Sequence, residues 1–546
     1  MSEHHAISFR PSGLVASSDE GQSILTIARR AGLALESACG GRGICRSCAV
    51  RVEGPLLPAA PSQEQGFTAE ETAAGWRRAC KAFPAGDCIV HVPERGLVGQ
   101  SLHVKHAALD FVPIERAVLA PAEDRCWRRG ATFVGPVAGP APLGLAVDLG
   151  TTNLAAAVVD MTSGEVLRSG SRLNPQTAFG GDIIGRLSHA LAGVEQRRQL
   201  QAAALGGIAA LADELTDGQP LRIGEIAVAG NTVMQHLLLG LPVEGLAKVP
   251  FTPATKAAVE RPAADFGLAV APGTQIYCAP SIAGFVGGDH VAALIDVLAA
   301  PPAGTWALLD IGTNTEISLS AGGKLTSVSC ASGPAFEGAG LSCGMRAAPG
   351  AIEHVSIDDE LHLSTVGGGQ PVGVCGSGAL SLVAALRRSR VINARGRLDI
   401  AGLRVRERYG RREFVLSEDC GGTAAPLVFT QNDIRAIQLA KGAIRTGLDV
   451  LLSDAGLASQ DLDRVLVAGA FGSFIDIDDA IAIGLLPDVP RRNVVQIGNV
   501  AGTGACRLVA CNGARTRAAR LATEIRYVEL ASQPDFDTVF ASNCLM

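Results

Sequence analysis

At 546 residues the chain exceeds one ordinary domain, and at roughly 150 residues per domain its length admits about three or four, or fewer if one is a large α/β unit. Hydrophobic residues at 47% and charged residues at 18% exclude a largely disordered chain, and 4% aromatics leave little for stacking single-stranded nucleic acid. With 47 Lys+Arg against 53 Asp+Glu the net charge is -6, so nucleic acid is not the expected partner.

In chain order, the start MSEHHAISFRPSG carries no basic-then-apolar leader, and no apolar stretch runs uninterrupted at membrane-spanning length. A soluble, cytoplasmic protein that engages no membrane is expected, and its 14 Cys are read as thiols or metal ligands. Residues 1–95 show strand-like pieces at 5–9, 49–52 and 88–92 with helices at 23–31 and 69–76, which together read as a small α+β domain. Residues 96–143 carry scattered Pro and Gly, end in GPVAGPAPLG and read as a linker. From 144 to 546 apolar strands alternate with Ala/Leu-rich helices (186–212, 379–388, 432–453), the pattern of a parallel-sheet α/β domain.

Cys39, Cys45 and Cys48 follow a C-x5-C-x2-C spacing on a Gly-rich loop, and Cys80 follows after 31 intervening residues. Three clustered thiolates with a distant fourth suit a 2Fe-2S cluster, because glycines let backbone N–H groups approach the sulfurs. Tetrahedral zinc is the alternative, but it usually takes its thiolates as two short pairs. ESACGGRGICRSCAV followed by RRAC resembles the plant-type and adrenodoxin-type ferredoxins, which implies a β-grasp fold. Cys88 competes with Cys80 as fourth ligand, but in DCIVHV alternation makes it a core residue. Arg42, Arg46, Arg77, Arg78 and Lys81 neighbour the ligands in sequence, so a basic rim around the cluster is expected.

The large domain opens LGLAVDLGTTNLAAAVVD: apolar strand, Asp148, a turn of Gly150, Thr151, Thr152 and Asn153, then a second strand. Such a hairpin offers N–H groups and hydroxyls to a phosphate, while Asp148 can hold Mg2+ through water. It recurs 162 residues later as WALLDIGTNTEISL, with Asp310, Gly312, Thr313 and Asn314. Two matching hairpins imply two half-domains facing a nucleotide cleft. In RVLVAGAFGSFID, Gly469 and Gly472 follow a buried strand, where a base and ribose can lie against bare backbone. No GxxxxGK[ST] is present, so the phosphates are expected at turns rather than at a P-loop.

The three segments resemble the actin-like ATPase superfamily, which implies an ASKHA, RNase H-like duplicated ATPase domain with ATP and Mg2+ as ligands. By that resemblance AVAGNTVMQHLLLG and APSIAGFVGGDHVAALI fall near a first hinge, the latter as a Gly-containing helix with Asp289 in its middle, and VVQIGNVAGTGA falls near a second. Asp182, in NPQTAFGGDIIGRL, stands where a carboxylate could orient attacking water; for Asp182, Asn231 and Asp289 helix capping or hinge packing is an equal reading. Cys330 and Cys343 bracket the Gly-rich ASGPAFEGAG and read as structural thiols, the segment lining the cleft or a partner surface.

A ferredoxin-like domain joined to an actin-like ATPase is similar to the ATP-dependent reductive activators of corrinoid proteins; GWRRAC, GNTVMQHLL, CASGPAFEGAGLSCGM and VAGAFGSFID carry that likeness. The resemblance implies reduction of inactive Co(II) to Co(I) in the corrinoid protein of a methyltransferase system, with the electron drawn from a reduced ferredoxin or flavoprotein. A homodimer is one assembly it admits. The region before DLGTTN departs from the family pattern, being short enough that an extra intermediate domain is expected to be reduced or absent. Two rival readings stand beside this one: an activator of another low-potential or radical enzyme, and a ferredoxin whose nucleotide module is only a docking switch.

Overall fold

The computed structural model describes residues 4–19, 21–33, 35, 41, 43, 48–58, 67, 69–93, 120–121, 126–129, 132–136, 142–408, 410–418, 426–511 and 513–546. Two compact units make it up, Met1–Leu102 with Pro175–Leu200, and His103–Asn174 with Gln201–Met546.

In the first unit β1 (His5–Arg10), β2 (Val15–Ser18), β3 (Ala49–Glu53), β4 (Trp76–Arg78) and β5 (Cys88–His91) form one sheet in the order β2-β1-β5-β3-β4. Only the β1–β5 pair is parallel. Alternation sets the faces: Ile7 and Phe9 on β1 and Val90 on β5 are fully buried. The helix Ile24–Arg30 is capped by Ser23, whose hydroxyl accepts from the Thr26 N–H, and Arg29 and Arg30 fall in its last turn, where the helix dipole favours cations. Ile24 and Ile27 join the sheet residues in one core. A mixed sheet sharing its core with one helix is the β-grasp arrangement. The helix expected over 69–76 ends at Ala73, because Gly75 takes φ 88° and its N–H and C=O region turns into β4, the Val52 N–H donating to the Gly75 carbonyl at 2.9 Å.

Within the stretch read as a linker, β6 (Ala120–Pro121), β7 (Cys126–Arg129) and β8 (Thr132–Pro136) pair as a small antiparallel sheet. The helix expected over 186–212 is two helices, Ile183–Leu191 and Val194–Leu215, interrupted at Ala192 and Gly193, glycine being among the poorest helix formers.

The second unit contains β9 (Leu143–Leu149), β10 (Asn153–Asp160), β11 (Val166–Leu173), β12 (Ile223–Gly230), β13 (Val259–Pro262) and β14 (Gln275–Cys278), ordered β11-β10-β9-β12-β14-β13. Strands β9 and β12 are apolar along nearly their whole length and buried on both faces, as central strands of a covered sheet must be. There follow β15 (Trp306–Ile311), β16 (Thr315–Ala321) and β17 (Lys324–Cys330), then two small sheets built from β18 (Ala351–Ile357), β19 (Leu361–Thr365) and β20 (Gly373–Val374), and from β21 (Val405–Arg408), β22 (Arg411–Ser417) and β23 (Leu427–Thr430). With β24 (Arg464–Ala468), β25 (Val494–Gly498) and β26 (Arg526–Tyr527) the second large sheet is ordered β25-β24-β15-β16-β17-β26. Each large sheet is the same construction: a three-stranded antiparallel meander whose first strand pairs in parallel with a later strand, which pairs in parallel with another. This is the duplicated RNase H-like pattern.

The helices Gly288–Val297 and Val500–Ala510, one following each parallel layer, cross at bare backbone: a Cβ on Gly504 would lie 1.9 Å from the Ala292 carbonyl oxygen. Asp296 secures the crossing, accepting from Thr503 Oγ1 at 2.9 Å and Arg507 Nε at 2.6 Å. The first of these helices begins at Gly288, so Asp289 stands in its first turn and not in the middle of a helix over 279–295, as the sequence suggested. Among the described residues no helix is long and apolar enough to cross a membrane.

Candidate functional site

The duplication places the two sequence-predicted aspartates in equivalent register. Asp148 is the penultimate residue of β9, opposite Ala155 of β10 and Ala229 of β12. Asp310 is the penultimate residue of β15, opposite Glu316 of β16 and Ala468 of β24. Each strand then turns through a glycine for which a side chain leaves little room: a Cβ on Gly150 would lie 2.6 Å from the Asn153 carbonyl oxygen, and one on Gly312 3.1 Å from that of Asn314.

The hydroxyls of the two turns meet. Thr152 Oγ1 lies 3.3 Å from Thr313 Oγ1, and both donate to the carboxylate of Glu337. Thr151 is buried and accepts from the Asn231 side-chain amide at 3.0 Å, while the Asn231 oxygen caps the helix Thr232–Leu239 by accepting from the Met234 N–H. Asn231 therefore has a capping task and also fixes the first turn. Asn153 and Asn314 lie at the hairpins, partly exposed.

Four acids converge behind the turns. Burial pushes Asp148 up to about 6, Asp289 up to about 7 and Asp310 up to about 8, and carries Glu316 well above the ordinary carboxyl range. Their mutual charge adds to this: Asp148 raises Asp289, Asp289 and Asp148 raise Asp310, and Asp289 and Asp310 raise Glu316. One compensating dipole comes from the other half of the fold, the Asn499 amide donating to Asp148 Oδ2 at 3.0 Å. One Glu316 oxygen is buried without a hydrogen-bond partner. Such an all-oxygen, anionic set fits a hard cation. Among the described residues no three His, Cys, Asp or Glu side chains are placed to hold a metal directly.

Gly469 has φ 89°, and a Cβ there would lie 2.4 Å from the Ile311 carbonyl oxygen and 2.8 Å from Asp310 Oδ1. This glycine is thus required by the close passage of the β24 end against the second hairpin. Gly472 packs on Val467, and between these glycines Phe471 stacks on Phe336 with ring centroids 4.6 Å apart. Asp182 belongs to the other compact unit, where it caps the helix Ile183–Leu191 and accepts from the Gly185 N–H at 2.6 Å.

Of the four proposed cluster ligands, Cys39 and Cys45 lie outside the described residues, as do Arg42 and Arg46. Cys48 and Cys80 are buried in one core and joined through the backbone, the Ala79 N–H donating to the Cys48 carbonyl at 2.9 Å. Gly41 at φ 89° comes within 3.9 Å of Cys80, measured from a built Cβ, and a Cβ on Gly43 would meet the Lys81 side chain. Buried thiols with a glycine this close suit a cluster whose sulfurs must be approached by backbone. Cys88 is different: its thiol faces the carbonyls of Pro55 and Gly86 at 3.4 Å, and burial, then Asp87, raises its pKa. Two of the expected rim cations are committed elsewhere. Arg78 is buried with its guanidinium over Phe67, and Arg77 donates to the carbonyls of Thr72 and Trp76.

Glu337, Glu316 and Asn499 were not singled out from the sequence. Glu337 left one trace there, being the only charged residue between Lys324 and Arg346.

Fold and site define a class in which a ferredoxin-type domain is joined to a duplicated ASKHA domain. Residues 8–85 match the family model of the 2Fe-2S iron-sulfur cluster binding domain, residues 143–298 that of the RACo middle region, and residues 305–546 that of the C-terminal domain of RACo, the ASKHA domain. The chain belongs to the RACo family. It is 35% identical over 419 residues to the corrinoid activation enzyme RamQ of Eubacterium limosum, covering 74% of this chain and 70% of that protein. It is 25% identical over 392 residues to the reductase of the Co(II) methylated amine-specific corrinoid protein of Methanosarcina barkeri, covering 65% and 68%. A solved reductive activator for corrinoid, iron-sulfur protein matches with a TM-score of 0.69 at 29% identity, over 99% of this chain and 98% of that one. The middle-region match begins at residue 143, so the part of the family pattern called its middle is here the first half of the duplicated fold.

Proposed function

We propose that this chain reductively activates a corrinoid protein, using ATP hydrolysis to carry an electron from a reduced ferredoxin or flavoprotein to inactive Co(II) and return it to Co(I). The observation that carries this reading is that a chain with buried Cys48 and Cys80 in a ferredoxin-type core also has two hairpins whose threonines meet beside a set of four acids. The names of the relatives supply the substrate class. Cys39, Cys45, Cys48 and Cys80 would hold the cluster, which when bound supplies a one-electron carrier near about -400 mV.

The chain's own residues have definable tasks. Gly150, Thr151, Thr152 and Asn153 on one side, and Gly312, Thr313 and Asn314 on the other, present hydroxyls and backbone donors to the phosphates of ATP. Asp148 and Asp310 hold the waters of its Mg2+, and the backbone around Gly469 and Gly472 is where the adenosine lies. Asp182, as the cap of its helix, positions that helix and is the weaker candidate for contact with water. Because the step to Co(I) is uphill from a donor at this potential, nucleotide state must alter affinity for the Co(II) partner, one state gripping it and the other releasing it.

The test is the visible spectrum of a Co(II) corrinoid protein mixed with this chain and a reductant. Conversion to Co(I) is expected only when ATP is also present. Equal conversion without ATP would leave the nucleotide site as a docking switch.

A further inference from the structure

Glu337 ends a single 3-10 turn, Pro334–Glu337, and among the described residues no other acid does what its side chain does. Its two carboxylate oxygens are shared between the two hairpins, Oε2 accepting from Thr152 of the first and Oε1 from Thr313 of the second. It is half-buried, as Asp148, Asp289 and Asp310 are, while Glu316 is buried.

The turn that carries it is rigidly seated. The Gly333 N–H donates to the Thr313 carbonyl at 3.0 Å, and Ser332 Oγ donates to the Gly312 carbonyl at 3.1 Å. A Cβ on Gly338 would lie 2.1 Å from the Met345 carbonyl oxygen, and one on Gly376 1.7 Å from that of Phe336. Phe336, the residue before Glu337, stacks on Phe471. An anionic side chain has thus been fixed where two phosphate-binding turns converge. A carboxylate cannot serve as a contact to a phosphate, because like charges repel. What it can do beside a phosphate is accept a hydrogen from water.

We propose that Glu337 orients and deprotonates the water that attacks the terminal phosphate of ATP. The inference rests on the ATP-hydrolysing reading above and names a catalytic residue for it. The water oxygen forms a bond to the γ-phosphorus while the bond from that phosphorus to the bridging oxygen breaks. ADP leaves with the electron pair, and the proton of the water passes to the Glu337 carboxylate and from there to solvent. The Thr152 and Thr313 hydroxyls that donate to the carboxylate turn to the phosphoryl oxygens in this step and free it for the water.

A purely structural latch between the hairpins is the competing role, and the substitutions separate the two. Glu337→Gln keeps the shape and a hydrogen-bonding oxygen but cannot take the proton. In the full chain with Mg-ATP, phosphate release by Glu337→Gln is expected to fall by about 100-fold or more in kcat, with the Kd for ATP changed little. In Glu337→Ala, added formate is expected to restore part of the rate. Loss of ATP affinity with kcat retained, or a Glu337→Gln rate within about threefold of the unsubstituted chain, would overturn the assignment while leaving the ATPase reading intact. If the unsubstituted chain releases no phosphate, alone or with a Co(II) corrinoid protein and reductant, both readings fall together.

Discussion

Asp310 stands beside Asp289 and Asp148, and burial, then those two charges, holds its carboxyl up to about 8. A carboxyl whose folded pKa lies above its unfolded value binds its proton more tightly in the folded state. Stability therefore falls as pH rises from the unfolded value through the folded one. For Asp310 that window ends near 8, and Asp289 and Asp148 add their own losses up to about 7 and about 6. The nucleotide-free chain is accordingly expected to lose melting temperature between about pH 4 and about pH 8, with Asp310→Asn flattening the upper part of the decline. Mg2+ should restore more at the upper end, where the carboxylates are charged. Thermal melts across this range check it; a melting temperature insensitive to pH in the metal-free chain would show that the acids have charge compensation within the fold. Asp148 and Asp310 were legible in the sequence because each sits in a recurring local motif. Glu337 was not, because its partners lie 185 and 24 residues away and such bonds leave no periodic trace.

At the scale of elements, the strands that alternate or run apolar were readable, and so were the helices Gly376–Arg388 and Gln431–Asp454, the second opening with a capping box between Thr430 and Asp433. The short edge strands Val15–Ser18 and Trp76–Arg78 escaped, since pairing with a neighbour rather than composition makes them strands. Of the two helices that cross at Gly504, the first was readable as a Gly-containing helix and the second only as a segment near a hinge, and the crossing itself depends on a glycine that costs a helix stability when considered alone. Its value lies in the neighbour. Gly504→Val is expected to destabilise the chain by about 1–3 kcal/mol or more, because the Ala292 carbonyl, being backbone in another helix, cannot step aside. Denaturant unfolding measures this. The loss should be absent in Gly206→Ala, inside the helix Val194–Leu215, where a built Cβ meets nothing within 4 Å.

For the whole molecule, the two chemistries are expected to separate by mutation. Cys80→Ser should lose or destabilise the 2Fe-2S cluster, whereas Cys88→Ser should not, since a thiol facing two carbonyl oxygens is held protonated and a ligand must be a thiolate. Asp310→Ala should abolish ATP turnover and leave the cluster's visible spectrum unchanged. Iron content with electron paramagnetic resonance, and phosphate release, decide these; a reduced signal typical of a 4Fe-4S cluster would sink the ligand assignment, and unaltered hydrolysis in both Asp148→Ala and Asp310→Ala would refute the paired hairpins. Joining the two domain types was legible because each carries its own spaced motif. The crossing of the two helices adds a mechanical consequence. Bare backbone at Gly504 lets the two rods lie flush, as timbers notched into each other do, so a side chain added in the notch would prise the joint apart. Asp296, bonded to Thr503 and Arg507 beside the contact, is the peg that holds the joint closed.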